Sequence, residues 1–137
     1  MTTVNSTLLF ALLLFGMGCG DKDKNPVSSA SRSYDQHVLS IRNGHFYSYP
    51  APNVNIGTIT DRYFSNTRWE SITGTDGNRY VNMTGGFSYL NSPATAKIQF
   101  RLYSDGSFVL RAFEINGEPQ TDFMIGVLIE DMYDEVG

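Results

Sequence analysis

Two histidines, one thiol and a terminal group of carboxylates are the side chains of this 137-residue chain whose types and spacing could do chemistry. His37 and His45 flank Asn43-Gly44, with Asp35 just upstream. An Asn-Gly pair favours a two-residue hairpin turn, and across such a turn the two imidazoles would approach each other. A zinc centre would still need a third and a fourth ligand at workable spacing. None is in reach, so the two histidines read as surface residues on neighbouring strands. No G-x-S-x-G elbow, H-E-x-x-H helix or phosphate-cradling glycine loop is present. A glycosidase needs two carboxylates that meet in space, but the clustered acids here fall at one end of one helix, the pattern of a solvated face. The expectation is a non-enzyme, with no catalytic residue, no metal and no cofactor.

Cys19 is the sole cysteine. An internal disulfide is therefore excluded, leaving pairing between chains, a free thiol or covalent modification. The residues before it, Leu8 to Met17, form an unbroken apolar run. That run is too short to span a bilayer as a helix, which takes about 20 residues, and it suits the apolar region of a secretory signal. It ends in Gly16-Met17-Gly18-Cys19, and polar residues begin at once with Gly20-Asp21-Lys22. The arrangement resembles a bacterial lipoprotein signal, with Gly18 as the small residue before the lipid-bearing cysteine. Gly16 stands where that family prefers Leu, and Met1 to Thr7 carries no Lys or Arg. The resemblance implies that residues 1–18 are a signal peptide and that Cys19 is acylated, palmitate included, and becomes the mature N-terminus. It also implies anchorage in the cell envelope. Gly20, in place of a retention-type Asp, favours the outer over the inner membrane. The stretch from Gly20 to Ser33 has Val27 and Ala30 as its only apolar residues. It cannot bury enough surface to offset its ordering entropy, so residues 19–33 read as a lipidated cysteine and a flexible tether, with a reach of roughly 20 Å.

The rest, 34–137, reads as a single domain. The net charge is −4, which argues against nucleic acid as a partner, since phosphate needs a positive surface. The charge is unevenly placed: residues 20–113 carry +3 and residues 114–137 carry −7. Within that acidic end, Glu130, Asp131, Asp134 and Glu135 sit in the last turns of a helix, where negative charge opposes the dipole. A sequence that breaks a local rule there points to a reason outside stability. These four residues are the candidate partner-binding site, for a basic partner. The tyrosines at 34, 47, 49, 63, 80, 89 and 103 add a second possibility, recognition by exposed aromatics on an open sheet face.

The pattern along the domain predicts an α+β fold: an antiparallel sheet of four to five strands, with a short N-terminal-side helix and a C-terminal helix packed on one face. His37 to Arg42 alternates and reads as a strand, followed by the Asn43-Gly44 turn and a returning strand over His45 to Tyr49 that Pro50 and Pro52 break. Ile56, Ile59, Tyr63 and Phe64 have helical spacing, with Asn55 or Thr58 as cap, and Ser65-Asn66-Thr67 ends that helix. Strands follow over Arg68 to Thr73 and Arg79 to Tyr89, with Gly85-Gly86 marking a bulge or bend. After the turn at Asn91-Ser92-Pro93, Ala96, Ile98, Phe100 and Leu102 share one face. Phe108 to Ile115 completes the hairpin, and Asn116-Gly117 and Pro119 end the sheet. A last helix, capped by Thr121 or Asp122, carries the stripe Met124, Ile125, Leu128, Ile129 and Met132.

Three elements of this stretch stand together: Phe64-Ser65-Asn66 with Trp69, the strand Ala96 to Phe100, and Ile115 to Gln120. Their pattern, FSN-W, A-x-IQF and INGxPQ, resembles a small domain recurring in bacterial envelope proteins and lipoproteins. The resemblance covers about half the chain and implies a fold and an address; it carries no catalytic residue. The functional expectation is a membrane-anchored bacterial lipoprotein acting as a non-enzymatic protein-interaction module, bound to the membrane through its N-terminal lipid and to another envelope protein. The alternative is a periplasmic or surface small-ligand-binding protein with its pocket between sheet and helices. A small hydrolase comes third.

Overall fold

The computed structural model describes residues 33–46 and 54–136. Cys19, the signal peptide, the tether, Tyr47, Tyr49, Pro50 and Pro52 lie outside the described residues, as does most of the strand expected at His45 to Tyr49. Two short helices come first, α1 (Gln36–Arg42) and α2 (Ile56–Tyr63). Strands β1 (Ser65–Thr73), β2 (Arg79–Tyr89), β3 (Ser92–Leu102), β4 (Phe108–Ile115) and β5 (Glu118–Pro119) follow, and helix α3 (Asp122–Val136) ends the chain. The strands form one open antiparallel sheet in the order β1-β2-β3-β4-β5. The fold is α+β, with three helices among the described residues.

Alternation decides the sheet. Ala96, Ile98, Phe100 and Leu102 of β3 are all buried, and Val81 and Met83 of β2 lie beside them. Val38 and Ile41 of α1, Ile56 and Ile59 of α2, and Leu128, Ile129 and Met132 of α3 join the same cluster. One face of the sheet is therefore covered by all three helices. Trp69 of β1 stacks on Phe100, rings 6.3 Å apart and 15° from parallel. Arg42 ties the layer together: its guanidinium lies 4.3 Å from the Tyr34 ring and pairs with Asp61 of α2 at 2.7 and 3.2 Å. Among the described residues, no helix is long and apolar enough to cross a membrane.

Residues 37–42 form α1, not the expected strand. Asp35 supplies the reason: its carboxylate accepts from the Val38 N–H at 2.8 Å, an N-cap bond. Val38 and Ile41, three apart, face the core, while Leu39 is exposed. Asn43-Gly44 is accordingly no hairpin turn. Asn43 is the C-cap of α1 in a right-handed conformation, and a side chain at Gly44 would come within 2.6 Å of the Phe108 ring. The Gly85-Gly86 pair departs from expectation in a different way. Its pairing with β3 is continuous, and the irregularity lies on β1, between Ser65 and Arg68. A Cβ at Gly85 would sit 2.7 Å from that of Phe64, so close approach explains the glycine. Pro119 ends the sheet as the last residue of β5, paired with Glu114 on the outermost strand, where a missing N–H is tolerated, while Asn116-Gly117 turns the chain into that strand.

Candidate functional site

Helix α3 has two faces. Leu128, Ile129 and Met132 are buried, whereas Phe123 is 78% and Val127 40% exposed. At 3.6 residues per turn, Phe123, Val127, Glu130 and Asp134 fall on one outward stripe. The stripe is apolar in its first half and acidic in its second. Thr121 caps the helix start, its Oγ1 accepting from the Met124 N–H at 3.2 Å.

Opposite this stripe stands the tip of the β2–β3 hairpin. Its two loop residues, Leu90 and Asn91, have φ of 52° and 63°. Two central residues at positive φ make a type I′ turn. The turn after β4 has the same signature, with Asn116 at 52° and Gly117 at 83°. There the residues are the favoured Asn-Gly pair. At the first turn a leucine takes the left-handed position, which costs a non-glycine residue about 1–2 kcal/mol. Leu90 recovers nothing by burial, being 81% exposed. The chain keeps a strained, solvent-facing hydrophobe where Asn or Gly would cost less.

A groove of about 490 Å³ runs between this hairpin and α3. Phe87, Tyr89, Leu90, Met124 and Val127 line its apolar part, and Glu130, Asp131 and Asp134 its acidic part. Tyr63 of α2 also lines it, and its hydroxyl donates to Asp131 Oδ2 at 2.8 Å. Burial, and then this bond and the charges of Asp131 and Glu135, hold the Tyr63 hydroxyl far above the usual phenol range. Three of the four expected acids therefore meet at one groove, and Glu135 acts on it through Tyr63. All four are exposed. No basic residue occupies the last turn of α3; Arg62 reaches over from α2 and donates to the Val136 carbonyl at 3.4 Å. Like charges at i,i+4, as in Glu130 with Asp134 and Asp131 with Glu135, disfavour the helix. The cost stands uncompensated within α3 itself.

The histidines do not form a site. His37 lies in α1 and His45 beyond its cap, and Asp35 is engaged with Val38 N–H and, at 2.7 Å, with the Ser71 hydroxyl. The Val38 bond first, and the Ser71 bond next, hold the Asp35 carboxyl below the ordinary 3.8. No group of three or more His, Cys, Asp or Glu is placed to hold a metal among the described residues. Of the described tyrosines, Tyr34, Tyr63 and Tyr89 are partly buried against the core, whereas Tyr103 is 38% exposed. Tyr80 is buried beneath Arg111, and Tyr103 lies under Arg101 at 4.6 Å.

Leu90 and Phe123 are the residues that sequence reading missed. A Leu-Asn pair between two alternating runs was the available signal, since a I′ turn prefers Asn or Gly at both positions. Phe123 was legible as a large apolar residue lying off the buried stripe of its helix. No family model, no curated protein and no solved structure matches the chain.

Proposed function

We propose that this chain is a bacterial lipoprotein, anchored through acyl chains on Cys19, whose domain is a non-enzymatic protein-interaction module of the cell envelope. The outer membrane is the favoured address. The site of interaction is the outward stripe of α3 with the facing hairpin tip. Leu90 is the observation that carries the reading: a residue both conformationally strained and solvent-exposed, beside exposed Val127, is costly unless something covers it. The acidic half of the same stripe sets the partner's sign. A segment that places an apolar side chain between Leu90 and Val127 and basic residues along Glu130, Asp131 and Asp134 matches both halves.

A small-ligand carrier would need an enclosed space between sheet and helices. Over the centre of the sheet that interior is filled by side chains with no exposure, among them Ile98 and Met132, and the space that remains, about 610 Å³ between β4 and α3, is an open groove and not an enclosed pocket. The carrier reading is therefore the weaker one.

Membranes from cells making tagged, lipidated chain, gently cross-linked and purified, test the proposal. Leu90→Asn combined with Glu130→Lys and Asp134→Lys is expected to lose a partner that the parent chain retains. Equal recovery of that partner by both would sink the α3 site. Palmitate labelling of Cys19→Ser addresses the anchor separately, and undiminished label would remove it.

A further inference from the structure

Among the described residues, one edge of the sheet has no strand over it. β5 pairs only with Glu114 and Ile115, so Phe108 to Ala112 of β4 has a neighbour on the β3 side alone among the described residues. The ladder fixes which groups face outward. The Ser107 carbonyl accepts from the Tyr103 N–H at 2.8 Å. In an antiparallel ladder the inward-bonding residues alternate, which turns the amide and carbonyl of Phe108 and Leu110 to the open side. Native sheets blunt such edges with charge, proline or a covering element, because an exposed edge is a template for a further strand. Here Arg111 and the bulge opposite Gln99-Phe100 blunt the far end, while Phe108 to Leu110, with Val109 48% exposed, carry neither charge nor proline.

Beside this edge lies a second groove, of about 610 Å³, between β4 and the first half of α3. Phe46, Phe108, Leu110, Ile125 and Ile129 supply its apolar lining. Gly126 lies on its helical side, and a Cβ built there would meet nothing within 4 Å. Among the described residues no close packing requires a glycine here, although glycine weakens a helix interior. The missing side chain leaves the groove wide enough for another backbone to approach.

We infer that this edge and groove form a β-augmentation site, which takes an extended polypeptide segment of a partner as a sixth strand beside β4. Outward-facing amides and carbonyls select an extended backbone, and the lining selects an apolar side chain at every second position. The charges agree. Beside the His45 imidazole, the groove is lined by one cation, Arg111, and one anion, Asp122, so a segment with no net charge in its centre fits it. A second copy of the chain fits less well. A stable pairing of copies needs about 800 Å² buried on each, and five edge residues offer a strip about 17 Å long. This site is separate from the acidic stripe of α3 and stands or falls independently of it.

Displayed peptides of about seven residues, apolar at alternate positions, panned against the full-length chain in detergent micelles, provide the test. Enriched peptides are expected to slow exchange of the Phe108 and Leu110 amides by about tenfold or more. Gly126→Leu should abolish their binding while leaving the melting temperature unchanged or raised. N-methylation of alternate peptide amides should abolish it as well, whatever the state of the variant. Enrichment no greater than on the Gly126→Leu chain, or binding that survives N-methylation in both registers, overturns the inference. So does protection of these amides that grows with protein concentration in the absence of peptide, which would assign the edge to a second copy.

Discussion

On the outer face of the sheet, Gln99 donates to Asn82 at 3.0 Å, Arg111 to Gln99 at 3.1 Å, and Arg101 to Asn78 at 3.0 Å. On the outward face of α3, Phe123 and Val127 are exposed, with no side chain of the described residues laid over them to compensate. Both surfaces are solvated, yet their construction differs. The sheet face largely satisfies itself: Tyr80 is covered by Arg111 and bonded to Asp76 at 2.6 Å, and among the described residues Arg101 Nε is its one buried polar atom without a partner. A ligand landing there would have to break bonds that already exist. A ligand landing on α3 would break none and would cover apolar surface. Charge and aromatic content, which the sheet face has in abundance, are thus poor guides to a binding surface. Unsatisfied surface is the better one.

The largest effect is expected where the self-satisfied face is opened. Asn82 is 3% exposed and flanked by Glu70 on β1 and Gln99 on β3. Asn82→Ala removes the acceptor that orients Gln99, and Gln99 in turn orients Arg111. Loss of about 1–3 kcal/mol is expected, measured by urea unfolding, with recovery of the membrane partner by the folded fraction unchanged. Destabilisation below about 0.5 kcal/mol would mean that water replaces the network freely, and the contrast between the two faces would be lost.

The opposite sign is expected at the hairpin tip. Leu90→Asn suits the left-handed conformation and should stabilise the domain by about 1 kcal/mol, while weakening capture of the partner. A stable variant that binds less well would establish that the leucine is kept at a cost to folding. If stability falls instead, Leu90 has a packing role that its exposure conceals. Gly126→Ala is the milder companion, with a gain of about 0.5–1 kcal/mol expected from helix propensity alone. Thermal melts of both variants, alone and combined, are expected to add, since their sites share no partner.

Much of the sheet was legible before any coordinates. β2 and β4 run over the residues predicted for them, between the turns at Asp76-Gly77 and Asp105-Gly106, and the alternating burial of Ala96, Ile98, Phe100 and Leu102 on β3 leaves little choice of register. The α3 stripe was equally legible, as Leu128, Ile129 and Met132 recur at helical spacing. α1 was not. Over seven residues the pairs Leu39/Ile41 and Val38/Ile41 fit a strand and a helix equally well, and the deciding signal was the Asp35 cap outside the pattern. The site was half legible. The acids were visible as a charge anomaly. Which of them share a groove depends on where the β2–β3 hairpin ends relative to α3, a contact between residues some forty positions apart. The open edge of β4 was invisible for a related reason. It follows from β5 being only two residues long, and the Asn116-Gly117 turn announces a return without stating its length.

The smallest effect separates structure from function at the residue that sequence chemistry first singled out. Asp35 lies between the two histidines' neighbourhood and β1, and its hydrogen bonds serve the cap of α1 and the Ser71 hydroxyl. Its carboxyl titrates lower in the folded chain than in the unfolded one, where the value is near 3.8. The folded state therefore binds fewer protons in that range. Asp35 contributes its full share of stability above the unfolded value and loses it as pH falls through the lower, folded one. Asn accepts the same backbone bond without titrating. Asp35→Asn is expected to lose, at neutral pH, the share that the charged carboxylate contributes, and so to flatten the decline below about pH 4 until it meets the parent, read from urea midpoints across the acid range. A variant whose acid decline matches that of the parent would place the proton uptake elsewhere. A variant that instead lost partner capture while keeping its cap would return this end of the domain to the list of functional surfaces, and the division between a satisfied region and an exposed α3 face would have to be redrawn.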